Sequence, residues 1–419
     1  MALSLQRYIR YENDRLTQFL KQRIKKEKER SRLIALEKID HHVPEHLIIE
    51  ILSRLSVKDL LQFKSVCKSW YAIISRPDFV SKHLINYYNN SNNDDWRGCL
   101  FVQHYVTNAE IELYELFLDE TPRVLAYYSL DDMPMSSIYV CGPCHGLYYV
   151  YGYDSGPGYR ALWNPAINEF KTLPEIICKP DFPANLTYCP YEVYGFGFDH
   201  VTEDYKVVVI KGYWKDTDSS DLNANDNGDL NPPVSVLVYS LRTNSWRYCG
   251  DLAKAYHLEC NKCYIYVKEC CYWLGSLDYS SELIISFNMA NDSFIEIDVP
   301  DYAQPSYKCL AVYDDSLAFL SLHQTNKYFD IWTWSEGCWT KKFNVGPFPG
   351  VWRPIGHWMG NRLLLQLNDG KLVLFYPDTE ETKDLAFQNK MLCRGVFAYM
   401  ESLVSIKDRN EAGQQPEEN

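Results

Sequence analysis

Six times between Leu113 and Leu385 the chain repeats one short phrase: an apolar strand, a polar turn and a second short strand. The copies are Leu113–Leu125 (LYELFLDETPRVL), Leu162–Leu173 (LWNPAINEFKTL), Val238–Cys249 (VYSLRTNSWRYC), Ser286–Ile297 (SFNMANDSFIEI), Ile331–Phe343 (IWTWSEGCWTKKF) and Leu374–Leu385 (LFYPDTEETKDL). Their starts lie 49, 76, 48, 45 and 43 residues apart. A lone two-strand unit cannot bury its faces, so recurrence demands stacking, and roughly 40–50 residues is the length of one four-stranded propeller blade. We therefore expect an all-β propeller of six blades over residues 97–406. The one long interval holds Lys215–Pro233, an aspartate-rich polar insertion that reads as a flexible loop. Gly395–Ile406 (GVFAYMESLVSI) reads as strand after the last copy. Closing the ring with it, in the blade begun by Gly98–Leu118, would remove an exposed sheet edge.

Ahead of the repeats the periodicity changes. In His42–Leu84 the apolar residues recur at helical spacing in three bursts: Leu47, Ile48, Ile51, Leu52, Leu55; then Val57, Leu60, Leu61, Phe63; then Val66, Cys67, Trp70, Ile73, Ile74. Pro44 suits a first helical turn, and Ser56 and Ser65 can cap the next two helices. Roughly forty residues rarely bury enough surface to stand alone, yet both faces of the first two helices are apolar. One side can close a three-helix core; the other is left for a helical partner. The chain thus reads as an α+β multidomain protein. Residues 1–39 form a basic arm, helical or disordered, 40–85 the helical module, 86–96 a polar linker or the tail of the last helix, 97–406 the propeller and 407–419 a disordered tail.

The arm carries eleven Lys/Arg against five Asp/Glu, leaving −19 on the remainder of a chain whose total is −13. An acidic body disfavours a phosphate backbone and suits a basic protein partner. The arm lacks the interleaved aromatics that would stack bases, so no direct nucleic-acid partner is expected. No run of eighteen apolar residues and no signal-peptide pattern occurs, so neither a membrane partner nor secretion is expected. The expected location is cytoplasmic, with the arm as a route to the nucleus. Most of the fourteen cysteines lie in apolar or aromatic runs and read as reduced, buried hydrophobes.

Two resemblances follow from these words. The pattern V-P-E-x-L-I-x-E-I-L-x-x-L-x-V-K-x-L-L-x-F-K-x-V-C-K-x-W from Val43 resembles the F-box, the module that attaches substrate receptors to a Skp-type adaptor of a cullin ubiquitin ligase. GPCHGL, LWNPAINEF, YGFGFDHVTEDYKVV, VYSLRTNSW and WTKKF are similar to the F-box-associated domain of plants, and the combination to the S-locus F-box proteins of self-incompatibility. The long arm before the F-box departs from that pattern. The resemblance implies that Pro44, Leu47, Ile48, Ile51, Leu52, Leu55, Leu60, Phe63, Val66, Cys67 and Trp70 are buried, some against the adaptor and some against each other. It implies a non-catalytic receptor that brings a target to a cullin ligase for ubiquitination and degradation, the target class being basic S-RNases in pollen. The alternatives are an interaction scaffold that binds the adaptor without ubiquitinating anything, and a metal-dependent propeller oxidase. No residue could be assigned to target binding.

Several motifs invite chemistry. Cys141-Gly142-Pro143-Cys144-His145 has the spacing of a redox pair or a haem attachment site, but strand-like flanks make it a hairpin with the Gly-Pro at the turn and the cysteines facing inward. Cys260-x-x-Cys263 with Cys270-Cys271 could ligate zinc, yet these cysteines are spread along strand-like sequence. His357 reads as a satisfied strand residue and Asp314-Asp315 as a turn. No nucleophile elbow, P-loop, zinc-protease or dinucleotide motif occurs. No cofactor, metal or catalytic residue is expected.

Overall fold

In the computed structural model four helices among the described residues precede a series of antiparallel sheets. The residues described are 43–91, 98–104, 110–116, 123–129, 138–152, 158–176, 188–215, 234–254, 256–258, 265–277, 281–301, 307–323, 327–348, 350–358, 362–376, 379–385 and 393–407. The basic arm, Cys260, Cys263 and all but the first residue of both the acidic insertion and the tail lie outside them. The chain divides into two compact units, Met1–Leu52 and Ser53–Asn419. No described helix is long and apolar enough to cross a membrane.

The helices are α1 (Glu45–Leu52), α2 (Val57–Phe63), α3 (Lys68–Ile74) and α4 (Pro77–Ser91), four rather than the three expected. Pro44 sits just before α1 and its carbonyl accepts from Leu47 N at 2.9 Å. Ser56 caps α2 as expected, accepting from Asp59 N at 3.1 Å. The cap of α3 is Cys67, whose Sγ accepts from Trp70 N, while Ser65 donates backwards to Gln62 O. The fourth helix extends to Ser91, so the start of the polar stretch, expected as a linker or the tail of the last helix, is helix tail. Its polar side chains have tertiary partners: His83 Nε2 lies 2.9 Å from Leu55 O, and Asn86 Nδ2 donates to Ser53 Oγ at 2.8 Å. Val57, Leu60, Ile73, Ile74 and Phe79 are buried.

Five sheets have four strands and one has five, which corrects the expectation of six like four-stranded blades. Each is given from its inner to its outer strand. The first runs Cys393–Tyr399, Gly98–His104, Glu110–Leu116, Arg123–Ser129. The second runs Ile138–Cys144, Leu147–Gly152, Tyr159–Asn164, Glu169–Thr172, and the third Tyr188–Asp199, Asp204–Lys215, Val234–Ser240, Ser245–Leu252. In the fourth, His257–Leu258 and Ile265–Val267 both pair with Cys270–Ser276, followed by Glu282–Asn288 and Phe294–Asp298. Splitting the inner strand into two short pieces is what raises its count. The fifth is Tyr307–Tyr313, Ser316–Leu322, Phe329–Ser335, Cys338–Val345; the sixth is Val351–Trp358, Arg362–Leu367, Leu372–Tyr376, Glu381–Asp384.

Each sheet touches the next near its inner strand, and the sixth touches the first through Val351–Trp358 and Cys393–Tyr399. The order is therefore cyclic. The first sheet joins both ends of the β region, with Cys99 opposite Tyr399 and Phe101 opposite Phe397, so the expected closure by a C-terminal strand is present. That strand ends at Tyr399. Met400–Ile406, expected as strand, instead runs without strand pairing. The core lies between neighbouring sheets: Val208, Ile210 and Val236 of the third meet Trp273 and Ile285 of the fourth, and Phe329 and Ile331 of the fifth meet Leu365 and Phe375 of the sixth. Burial on both faces explains the almost unbroken apolar middle strands, while outer strands such as Glu169–Thr172 alternate half-buried with exposed.

The repeated phrase proves to be the outer hairpin of every sheet. In four of them it sets two aromatic side chains directly across from each other beside the turn. Trp163–Phe170, Tyr239–Trp246, Phe287–Phe294 and Trp334–Trp339 have ring centroids 5.2, 5.3, 4.9 and 5.2 Å apart. Such pairs contribute about 0.5–1.5 kcal/mol each beyond their burial. Asn168, Asn244 and Asp292 take the left-handed conformation in these turns, which their short polar side chains tolerate.

The remaining family words join one sheet to another. Trp246 Nε1 donates to Pro174 O (2.8 Å), Trp273 Nε1 to Tyr194 O (2.8 Å) and Trp339 Nε1 to Asp298 O (2.7 Å). In YGFGFDHVTEDYKVV the two glycines leave room for rings of the fourth sheet: a Cβ on Gly195 would stand 2.6 Å from Trp273 Cζ2, and one on Gly197 would collide with Tyr266. Asp199 accepts from Val201 N at 2.8 Å and pairs with buried Lys206 at 2.7 Å; Lys206 also donates to Met289 O in the fourth sheet.

In CGPCH the turn lies at His145 and Gly146, three residues after the Gly142-Pro143 expected to make it. Gly142-Pro143 is a cis peptide inside the inner strand, where the register shifts. Cys141 and Cys144 are buried, facing inward as expected.

Two outcomes test this architecture. Asn164, fully buried, donates to Ser402 O at 3.1 Å and Val404 O at 2.8 Å. Asn164→Ala strands two buried carbonyls and should cost about 2–4 kcal/mol in denaturant unfolding, against less than about 0.5 kcal/mol for Val201→Ala on an exposed turn. Burial works to raise the Asp199 carboxyl, but hydrogen bonds from Lys206, the Thr202 hydroxyl and two backbone amides outweigh it and bring it down to about 2. A depressed carboxylate stabilises the fold above its unfolded value of 3.8 and loses that contribution as pH falls towards 2. The denaturation midpoint of the native chain should therefore drop over that window, and Asp199→Asn should have a lower, flatter profile there.

Candidate functional site

The two apolar sets of the helical module are exposed in different degree, and each is described within its own unit. On α1, Leu47 and Ile51 are 46% and 61% exposed and lie four residues apart, hence on one face. Pro44 before it is also exposed, Ile48 is half-buried and Leu52 is buried. In the second unit Val66 and Cys67, between α2 and α3, are exposed, Val66 by 52%. Leu60 is buried, while Leu55, Phe63 and Trp70 are half-buried. The Phe63 and Trp70 rings meet edge to face at 5.3 Å, so each covers part of the other.

Of the eleven residues named from sequence, Leu52 and Leu60 are therefore internal, and Pro44, Leu47, Ile51, Val66 and Cys67 are open to solvent. Sequence reasoning missed Val43, Tyr71 and Ile85, all large, apolar and more than half exposed. Tyr71 lies on α3, four residues after its N-cap Cys67, whose carbonyl accepts from Tyr71 N at 3.0 Å, so its apolar ring at that spacing could have identified it. An isolated exposed leucine means little, but several large apolar side chains uncovered on so small a module are what a docking surface requires.

The ring offers no competing reactive centre among its described residues. Burial drives the Cys144 thiol up, the opposite of what a redox cysteine needs. Burial, then the charge of His200, pushes His145 down to about 4, and its Nδ1 lies 3.1 Å from Tyr205 Oη. Neutral and enclosed, it is a structural histidine. No group of His, Cys, Asp and Glu among the described residues could hold a metal ion. Buried acids have cations: Glu192 pairs with Arg160 at 2.6 Å across the second and third sheets, and Asp330 with Lys341 at 2.7 Å. Exposed large apolar residues on the ring, including Tyr248, Ile295 and Trp352, lie on three different sheets.

Comparison with known proteins agrees with both halves. The F-box domain matches residues 41–82, and the F-box associated beta propeller domain matches residues 112–384. The chain is similar to the F-box protein CPR1 of Arabidopsis thaliana, 25% identical over 83% of this chain and 85% of that protein. It is also similar to the F-box/kelch-repeat protein At3g23880 of the same plant, 24% identical over 88% of this chain and 97% of that protein. Among solved structures, a chain of a nidogen/laminin complex aligns with 73% of this chain and 99% of its own length at 11% identity and a TM-score of 0.43. With uncovered apolar helices in front and cyclic outer hairpins behind, the chain belongs to the F-box-associated beta-propeller family and carries an F-box domain ahead of its ring.

Proposed function

We propose that this protein is the substrate-recognition subunit of a Skp–cullin–F-box ubiquitin ligase. The observation that carries the reading is the exposure of Leu47 and Ile51 on α1, inside a segment that matches the F-box domain. At α1, Pro44, Leu47 and Ile51 face the adaptor, with Ile48 half-buried; after Ser53, Val66, Cys67 and Tyr71 face it, with Leu55, Phe63 and Trp70 half-buried. Leu52 and Leu60 are each buried. The propeller acts as one target-binding ring, with the arm, F-box, ring and tail bounded as the sequence suggests. The chain supplies no catalytic group; it raises the local concentration of a target at the ligase.

The formal charge of −13 favours a basic target through faster encounter and complementary potential. A basic S-RNase of the self-incompatibility response is the specific candidate that the sequence words name, and the cytoplasm, with the nucleus as a second location, is where the receptor would act. A scaffold that binds the adaptor without ubiquitin transfer is the reading to exclude, and reconstituted ubiquitination of a co-purified target excludes it.

Leu47→Asp with Ile51→Asp should weaken binding to a Skp-type adaptor by at least about a hundredfold, or about 2.7 kcal/mol. The cooperative unfolding of the ring should be unchanged. Adaptor affinity equal to wild type, read by calorimetry or pull-down, would refute the docking assignment.

A further inference from the structure

Met400–Ile406 forms no strand, yet Met400, Ser402, Leu403 and Ile406 are buried. The second sheet provides much of their enclosure. At its inner turn, Gly146 leaves no room for a Cβ, which would stand 2.5 Å from both Met400 O and Ser402 Cβ. At its outer turn, Asn164 holds Ser402 O and Val404 O, and the Glu169 carboxylate accepts from Ser405 Oγ at 2.8 Å and Ile406 N at 3.0 Å. Ile406 and Val404 pack into the cluster containing Leu147, Tyr149 and Leu162. The segment thus crosses the whole end of the second sheet, from inner to outer hairpin. Closing the ring needs only Cys393–Tyr399 on Gly98–His104; the crossing onto the next sheet goes beyond that need.

The same outer turn carries a second load. Its short helical turn, Pro165–Ile167, lies against α2. Lys64, the residue after α2, is half-buried: burial lowers its ammonium, and the negative charge of Glu169 works to raise it. Glu169 therefore serves the crossing segment through hydrogen bonds and the helices through its charge.

We propose that Met400–Ile406 is a strap that holds the second sheet's outer turn in the shape on which the helices after Ser53 are seated. Asn164 and Glu169 are positioning residues: they set the direction in which the ring presents its target relative to the adaptor-facing residues after Ser53. The last clause rests on the ligase reading; the strap itself does not.

Hydrogen exchange read by mass spectrometry on the full chain tests it, because local opening appears as faster amide exchange. In Glu169→Gln the amides of Val404–Ile406 and of Val57–Phe63 should both exchange about tenfold faster or more, with Val207–Ile210 of the third sheet unchanged. Lys64→Gln, which leaves the ring untouched, should speed Val57–Phe63 alone. Faster exchange in the strap with Val57–Phe63 at wild-type rates in both variants would overturn the proposal. Adaptor binding is measured in parallel: wild type that binds no adaptor overturns the ligase reading and leaves the exchange result to decide the strap.

Discussion

Pairing of Cys393–Tyr399 with Gly98–His104 is the interaction on which the rest of the ring depends. It joins segments almost three hundred residues apart, as in Cys99 opposite Tyr399. Loop-closure entropy grows only logarithmically with such separation, so the cost is modest beside the gain. Without it, the first sheet would lack its inner strand and expose a row of unpaired backbone groups. The sixth sheet would also lose the neighbour it meets through Val351–Trp358. Each sheet buries its faces against two others, so opening one junction leaves apolar surface uncovered on both sides.

The family words serve that same architecture. Asn164 and Gly146 receive the strap, Gly195 and Gly197 admit the rings of Trp273 and Tyr266, Asp199 and Lys206 bridge to the fourth sheet, and Trp246 reaches back to the second. All are internal or junctional roles. A likeness built on them therefore identifies the ring and says nothing of what it binds. The ring also carries exposed apolar side chains such as Tyr248, Ile295 and Trp352, of which only Trp352 lies outside the repeated phrases.

At the front of the chain the logic is reversed. The F-box keeps large apolar side chains outside, at a cost in solubility that only a partner removes. Its helices after Ser53 are not an independent bead: α2 lies against the Pro165–Ile167 turn, and Glu169 is shared between strap and Lys64.

Period and spacing determined a good deal. A recurring two-strand phrase dictated stacked sheets, because no single hairpin can bury itself. Helical periodicity separated the front module, and alternation within strands marked outer from inner positions. Cys141 and Cys144 were legible as inward-facing because their flanks were strand-like. Other features required the tertiary structure. Among the described residues a fourth helix follows the three expected, because His83 and Asn86 find partners at Leu55 and Ser53. The fourth sheet has five strands because its inner strand is split in two, which leaves no period in the sequence. Met400–Ile406 has strand composition but ends as a strap, since Asn164 and Glu169 capture the backbone groups a strand would have paired. Which leucines of the F-box are free was likewise undecidable from spacing: Leu52 and Ile51 are adjacent and equally apolar, and only packing buries one while leaving the other in water.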